Sequence, residues 1–293
     1  MTEPITVPAT EAEVTSPLAG LNICIMGPSG SGKTHALGTL VDSGIEVFYL
    51  GLESGIESLF GYYTDRNLPI PDNLHYNIIE APTASFNEFK AAMVQVNTLS
   101  LDVLAKMTDS NRSKHNQFIK MVEVLNNFVD QRTGISFGPV DKWGTDRALA
   151  IDGMTGMCKA SMALVIGGKP LRGPGDWQLA QDNVEKILSM LTNNCRCHFV
   201  LLAHVEREVD PVLGGIKIMI SALGKALAPK LPAMFSDVIL SAREGTAWFW
   251  DTASALADVK TRNLPIISKN APDFRTILTK WKTRGGLIEK TKT

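Results

Sequence analysis

The hydrophobic positions of this chain fall into short runs separated by polar segments. Runs at 22–26, 45–50, 75–79, 148–151 and 198–203 are apolar almost throughout. Short, uninterrupted runs of this kind predict strands buried on both faces. Between several of them the spacing changes. Residues 177–192 place Ala180, Val184, Ile187, Leu188 and Leu191 on one face at helical spacing, and a helical stretch at 32–43 follows the first run. Strands alternating with helices predict a mostly parallel sheet covered on both sides. Toward the C-terminus the runs 236–241, 246–251 and 274–279 come close together. They read as antiparallel strands added at the sheet edge.

The segment 85–132 breaks the alternation. One helical pattern carries Phe86, Phe89, Met93 and Val96; a second carries Phe118, Met121, Val122, Leu125 and Val129. The polar patch TDSNRSKHNQ separates them. This is a helical insertion in an α/β core, serving either as a packing face or as a contact for a partner. The organisation expected is a disordered segment at 1–17, rich in Pro, Thr and Glu, one domain at 18–284, and a flexible basic tail at 285–293.

Composition narrows this only slightly. The formal net charge is -1, so the whole chain has no polyanion-binding signature, yet residues from Lys260 onward hold nine Lys or Arg against two Asp or Glu. That basic end is a solvated terminus or a nucleic-acid contact. Four cysteines without a disulfide framework fit a reducing cytoplasm. Cys195 and Cys197 form a C-x-C beside His198, which makes no zinc site without a second ligand pair. No apolar run approaches the ~18 residues that span a bilayer, and the N-terminus does not read as a signal peptide.

The candidate chemistry starts where the first run ends. Residues 27–34 read GPSGSGKT, which fits G-x-x-x-x-G-K-[ST] with Gly27, Gly32, Lys33 and Thr34 in the fixed places. Glycines let a backbone wrap closely around a polyphosphate and aim its N–H groups inward. The helix that follows turns its N-terminal dipole on the same anion. The nucleotide cradle is therefore Gly27, Pro28, Ser29, Gly30, Ser31, Gly32, Lys33, Thr34 and His35, and the expected cofactors are ATP and Mg2+. Lys33 would neutralise the β and γ phosphates and Thr34 would ligate the magnesium ion. Asp152 ends the run 148–151 and supplies the second magnesium ligand, although an acid at a strand end also serves as a helix cap. There is no N-K-x-D guanine motif and no arginine-rich lid of the small-molecule kinase kind.

Three more stretches follow in order: Glu53 in VFYLGLESG, His204 in HFVLLAHVERE, and Lys260 and Arg262 in DVKTRNLP. Together with the phosphate loop and Asp152, this order resembles RecA-like P-loop ATPases of the RadA and DnaB type. It is most similar to the compact phage nucleotide-binding ATPases, several of which are single-strand-annealing recombination proteins. The resemblance covers roughly residues 20 to 280 and extends to the blocks GDWQLAQDNVEKILSMLTNNCRCHFVLLAH and GKALAPKLPAMFSDVIL. It implies a RecA-like P-loop fold, with a parallel central sheet, helices on both faces and antiparallel strands at the C-terminal edge. It further implies that Glu53 polarises the attacking water, with Glu57 as the nearby competitor. His204 would sense the γ-phosphate, where Gln is common in RecA. Lys260 and Arg262 would reach a neighbouring subunit's γ-phosphate in a ring or filament of identical chains.

By the same resemblance the protein is a phage ATPase acting on single-stranded DNA in the host cytoplasm. DNA would meet loops 167–176, with Lys169 and Arg172, and 206–230, with Lys217, Lys225 and Lys230, unless these are ordinary mobile loops or Lys225 contacts a nucleotide. A different class of function remains open at this point. The chain would then be an ATP-gated assembly or regulatory protein that grips a protein partner through 85–132 and ignores DNA.

Overall fold

The structure, a computed structural model, describes residues 18–80, 85–107, 114–209 and 214–291, without the side chains of Gln95, Ala105 and Lys225. The segment 1–17, part of the polar patch in the helical insertion, and the Lys225 side chain lie outside the described residues.

The apolar runs form one seven-stranded sheet. Its strands are β1 (Asn22–Met26), β2 (Glu46–Gly51), β3 (Leu74–Ile78), β4 (Arg147–Asp152), β5 (His198–Ala203), β8 (Asp237–Glu244) and β9 (Ala247–Asp251), with β6 and β7 forming a separate hairpin. The spatial order is β3-β2-β4-β5-β1-β8-β9. All neighbours pair in parallel except β8 and β9, which are antiparallel. Alternate residues of each strand face opposite ways, so the sheet feeds two cores. On one side Phe48, Leu149, Ile151, Phe199 and Leu201 meet α5 (Gln117–Asn126), α6 (Met154–Ile166) and α7 (Pro174–Asn193). On the other, Ile23, Val47, Ala150, Val200 and Ile239 meet α1 (Lys33–Val41), α2 (Ile56–Thr64) and α10 (Phe274–Thr283). Burial of both faces is why these strands read as continuous apolar runs.

Three sequence expectations are corrected. The run 236–241 becomes β8, but it pairs in parallel with β1, so only β9 is antiparallel. Residues 274–279 are not a strand. They open α10, in which Phe274, Ile277, Leu278 and Trp281 are buried at helical spacing and Asp273 caps the start by accepting from the Arg275 N–H (2.9 Å). Burying four such side chains contributes on the order of 2 kcal/mol each, which overrides the β-branched local composition. The loop at 206–230 holds a hairpin, β6 (Val205–Val209) with β7 (Ile216–Ile220), then two short helices, α8 (Gly224–Leu227) and α9 (Leu231–Met234).

The segment 85–132 divides in two. In α5, Phe118, Met121 and Leu125 are buried against the main core. The stretch after it lies along β3, where Asn77 donates to the Val129 carbonyl and Gln131 accepts from the Ile78 N–H. By contrast α3 (Phe86–Asn97) and α4 (Leu101–Lys106) leave apolar side chains in solvent: Phe86 is 94% and Leu101 72% exposed. At the C-terminus, 287–291 is tied to the turn before β4. The Leu287 carbonyl accepts from Thr145, and Thr291 bonds to Asp146.

Candidate functional site

The C-terminal ends of β1, β2, β4 and β5 sit side by side, so whatever follows each strand shares one edge of the sheet. In a parallel sheet this edge is where ligands bind.

After β1 the chain turns through the glycine-rich loop into α1. Gly32 stands at φ +82°, where a side chain would be strained, and a Cβ there would lie 2.8 Å from the Trp248 ring. Lys33 is buried, and its ammonium donates to the carbonyls of Gly27 and Pro28 (2.9 Å each). Burial lowers its pKa, while Asp152 and Glu53 pull it back up. Ser241 on β8 donates to the Ser31 carbonyl (2.7 Å), and the Trp248 indole donates to the Gly30 carbonyl (3.1 Å). His35 packs between Tyr62 and Trp248, with ring centroids at 5.0 and 4.6 Å.

Asp152 ends β4 and is buried. Burial raises its pKa, against the hydrogen bonds that hold the charge. One of its oxygens accepts from Thr34 (2.7 Å) and from Tyr49 (2.9 Å). The two groups expected to ligate magnesium are thus in direct contact. Their hydroxyl and carboxylate oxygens are the hard donors that Mg2+ takes, usually with several waters, so the residues present fit that ion.

Glu53 follows β2 and stands on the same edge. Its Oε2 lies 3.4 Å from Nε2 of His204, which follows β5. Its other oxygen is buried without a hydrogen-bond partner. The carboxylate fits here because Gly153, at φ +122°, opens α6; a Cβ there would lie 2.8 Å from the Glu53 side chain. Glu57 stands farther along the same cavity, exposed on α2. His204 is also the root of the β6–β7 hairpin, since its carbonyl accepts from the Ser221 N–H (2.8 Å).

So the structure brings Lys33, Thr34, His35, Glu53, Asp152 and His204 to one cavity of about 730 Å3, with Trp248 on its wall. It does not bring Lys260 and Arg262 there. Both are exposed at the other end of β8, where Lys260 exchanges backbone hydrogen bonds with Val238. The turn they occupy is gripped by Asp237, which is fully buried. Its carboxylate accepts from Thr261 (2.7 Å), the Arg262 N–H (2.8 Å), the Asn263 N–H (3.1 Å) and the Asn263 side chain (2.7 Å). The loop cations are largely engaged within the chain. Lys169 pairs with Asp176, Lys217 with Asp258 and Lys230 with Glu185, and Arg172 lies over Trp177.

Sequence reasoning missed Tyr49, Trp248 and Asp237. A tyrosine in a buried strand needs a partner for its hydroxyl, which is a signal for Tyr49. The other two are tertiary contacts with no local pattern.

No family model matches the chain, and no curated protein does. Solved structures match at low identity. One is an ATPase from the type III secretion system of pathogenic bacteria, 14% identical, with a TM-score of 0.38, covering 77% of this chain and 53% of that one. Another is the assembled ATPase EscN from the type III secretion system of enteropathogenic E. coli, 15% identical, with a TM-score of 0.34, covering 76% of this chain and 43% of that one. The chain thus spans about half the length of these matches.

Proposed function

We propose that this chain is a RecA-like, magnesium-dependent ATP hydrolase that assembles with copies of itself on single-stranded DNA. The observation that carries the ATPase reading is the meeting of Lys33, the Thr34–Asp152 contact and the Glu53–His204 pair at one sheet edge. Thr34 and Asp152 would hold Mg2+, which neutralises charge on the β and γ phosphates. The loop N–H groups and Lys33 would bind and orient the phosphates. Glu53 would take a proton from the water that attacks the γ-phosphorus, as the bond to the bridging oxygen breaks and ADP leaves. His204 stands 3.4 Å from one of the Glu53 carboxylate oxygens.

Among the described residues, Lys33 is the one Lys or Arg that lines this cavity. A second cation would come from a neighbouring subunit, and the exposed Lys260 and Arg262 supply it in this reading. The test is steady-state ATP hydrolysis with magnesium over a protein concentration series, with and without single-stranded DNA. A rate that rises faster than linearly with protein and increases with DNA is expected. A DNA-blind rate would remove the DNA partner, and an inactive protein would remove the hydrolase.

A second reading has its own observation. The α3 side chains Phe86, Phe89 and Met93 are 94%, 58% and 46% exposed, an apolar stripe of the kind that protein partners cover. An ATP-gated assembly protein would form nucleotide-dependent complexes that do not respond to DNA.

A further inference from the structure

One group of exposed cations without an acidic partner lies away from the two loops expected to meet DNA. Among the described residues, Lys260, Arg262, Lys280, Lys282 and Arg284 have no carboxylate within ion-pair distance; in the loops Lys169, Lys217 and Lys230 each have one, and Arg172 and Arg207 have none. The hairpin that fills the second loop also carries the carboxylates Glu206 and Glu208. A phosphate backbone approaching there would have to displace ion pairs.

The outer face of α10 offers the opposite. Arg275, Thr276, Thr279, Lys280 and Thr283 line a groove of about 710 Å3, closed on its far side by Asn263, Leu264 and Pro265. Among the described residues no Asp or Glu lines it, although Arg275 is paired with Asp273 beside it. Lys280 lies in the last turn of α10 and Arg284 caps the helix end, four residues on. Arg284 donates to the Arg262 carbonyl (2.9 Å), which brings the two arginines together. Cations in the last turn of a helix also stabilise its dipole, and that alone would explain their place on α10. It would not explain a groove lined by three threonines beside them. Hydroxyls and unpaired cations are the groups that contact phosphate and sugar without reading sequence.

We propose that single-stranded nucleic acid lays its phosphate backbone in this α10 groove. The proposal rests on the reading of single-stranded DNA as partner but not on ATP hydrolysis. The test is fluorescence anisotropy of a labelled oligo-dT strand with the full chain, in the absence of nucleotide, across a salt series. The double variant Lys280→Glu with Arg284→Glu should bind at least about tenfold more weakly. Losing two phosphate contacts should also flatten the salt slope by about 1.4. The pair Lys280→Arg with Arg284→Lys should retain binding, which separates charge from fold, and thermal unfolding of the Glu variant checks that it is folded. The pair Lys169→Ala with Lys217→Ala should stay within about twofold of the parent. A parent that binds while the Glu variant binds equally well overturns the groove and leaves the DNA reading standing. A parent that does not bind the strand overturns both.

Discussion

At the scale of single residues the candidate site is a set of charges placed by the backbone. Lys33→Ala should abolish tight ATP binding or turnover, measured by nucleotide binding and steady-state hydrolysis. Glu53→Gln keeps the shape of the Glu53–His204 contact but removes the base. Turnover should fall about 100-fold or more while ATP still binds. Unchanged turnover would pass the role of base to Glu57. A second residue effect lies far from the site. His198 is buried, its ring accepts from the Leu21 N–H (3.0 Å), and burial pushes its pKa down to about 4. The folded chain keeps it neutral while the unfolded chain protonates it near pH 6.5. Its contribution to stability is thus intact above that pH and is lost as pH falls from about 6.5 to 4, on the order of 3 kcal/mol in all. Urea unfolding of His198→Gln should show a shallower loss across that window than the parent.

The residues of this site were legible to different degrees. Gly27 to Thr34 and Asp152 could be read from sequence because a phosphate loop is local, and because an acid ending an apolar strand keeps its position in a parallel sheet. Glu53 and His204 could be placed at the same edge for that reason. Their 3.4 Å contact depends on the order of β2, β4 and β5, which no local pattern contains.

At the scale of elements, local composition misled where burial decided. The stretch FRTILT looks like a strand, yet α10 exists because Asp273 caps it and Trp281, beyond that short window, completes the buried face. Replacing Asp273 with Ala should cost about 1 kcal/mol of stability in a denaturant titration. The β6–β7 hairpin did carry a signal. Ile216, Ile218 and Ile220 alternate with Lys217 and Met219, the period of a strand, but polar and glycine residues around them read as loop. Asp237 has the larger energetic role. Asp237→Ala would strand the Thr261, Arg262 and Asn263 donors and should destabilise the chain by about 3 kcal/mol. A loss below about 1 kcal/mol would mean that water replaces the carboxylate.

At the scale of the whole molecule, Lys260 and Arg262 are the decisive residues, because they lie apart from the chain's own cavity. If they act across a subunit boundary, two inactive proteins should complement each other. Glu53→Gln has a dead site and intact cations, and Arg262→Ala has the reverse. Mixed, they should recover hydrolysis that neither has alone. No recovery, with both proteins folded and assembled, would place Arg262 outside the chemistry. The helical segment at 85–107 belongs to this scale too, since its apolar side chains Phe86 and Leu101 are exposed on the single chain.

Strand β8 links these places. Its fifth residue, Ser241, holds the Ser31 carbonyl of the phosphate loop; its first, Asp237, holds the turn of Lys260 and Arg262. The two grips are about 13 Å apart at the usual strand rise. Between these grips β8 pairs with β1 up to Leu240 and with β9 from Leu240 onward, so it is held as a rod. A displacement of the loop when phosphate binds would arrive at the far turn undiminished. In the proposed assembly that turn touches the next subunit, so each site would report its occupancy to its neighbour. Hydrolysis plotted against ATP concentration should then be sigmoidal, with a Hill coefficient above 1. Ser241→Ala disconnects the rod at the loop end and should bring that coefficient toward 1.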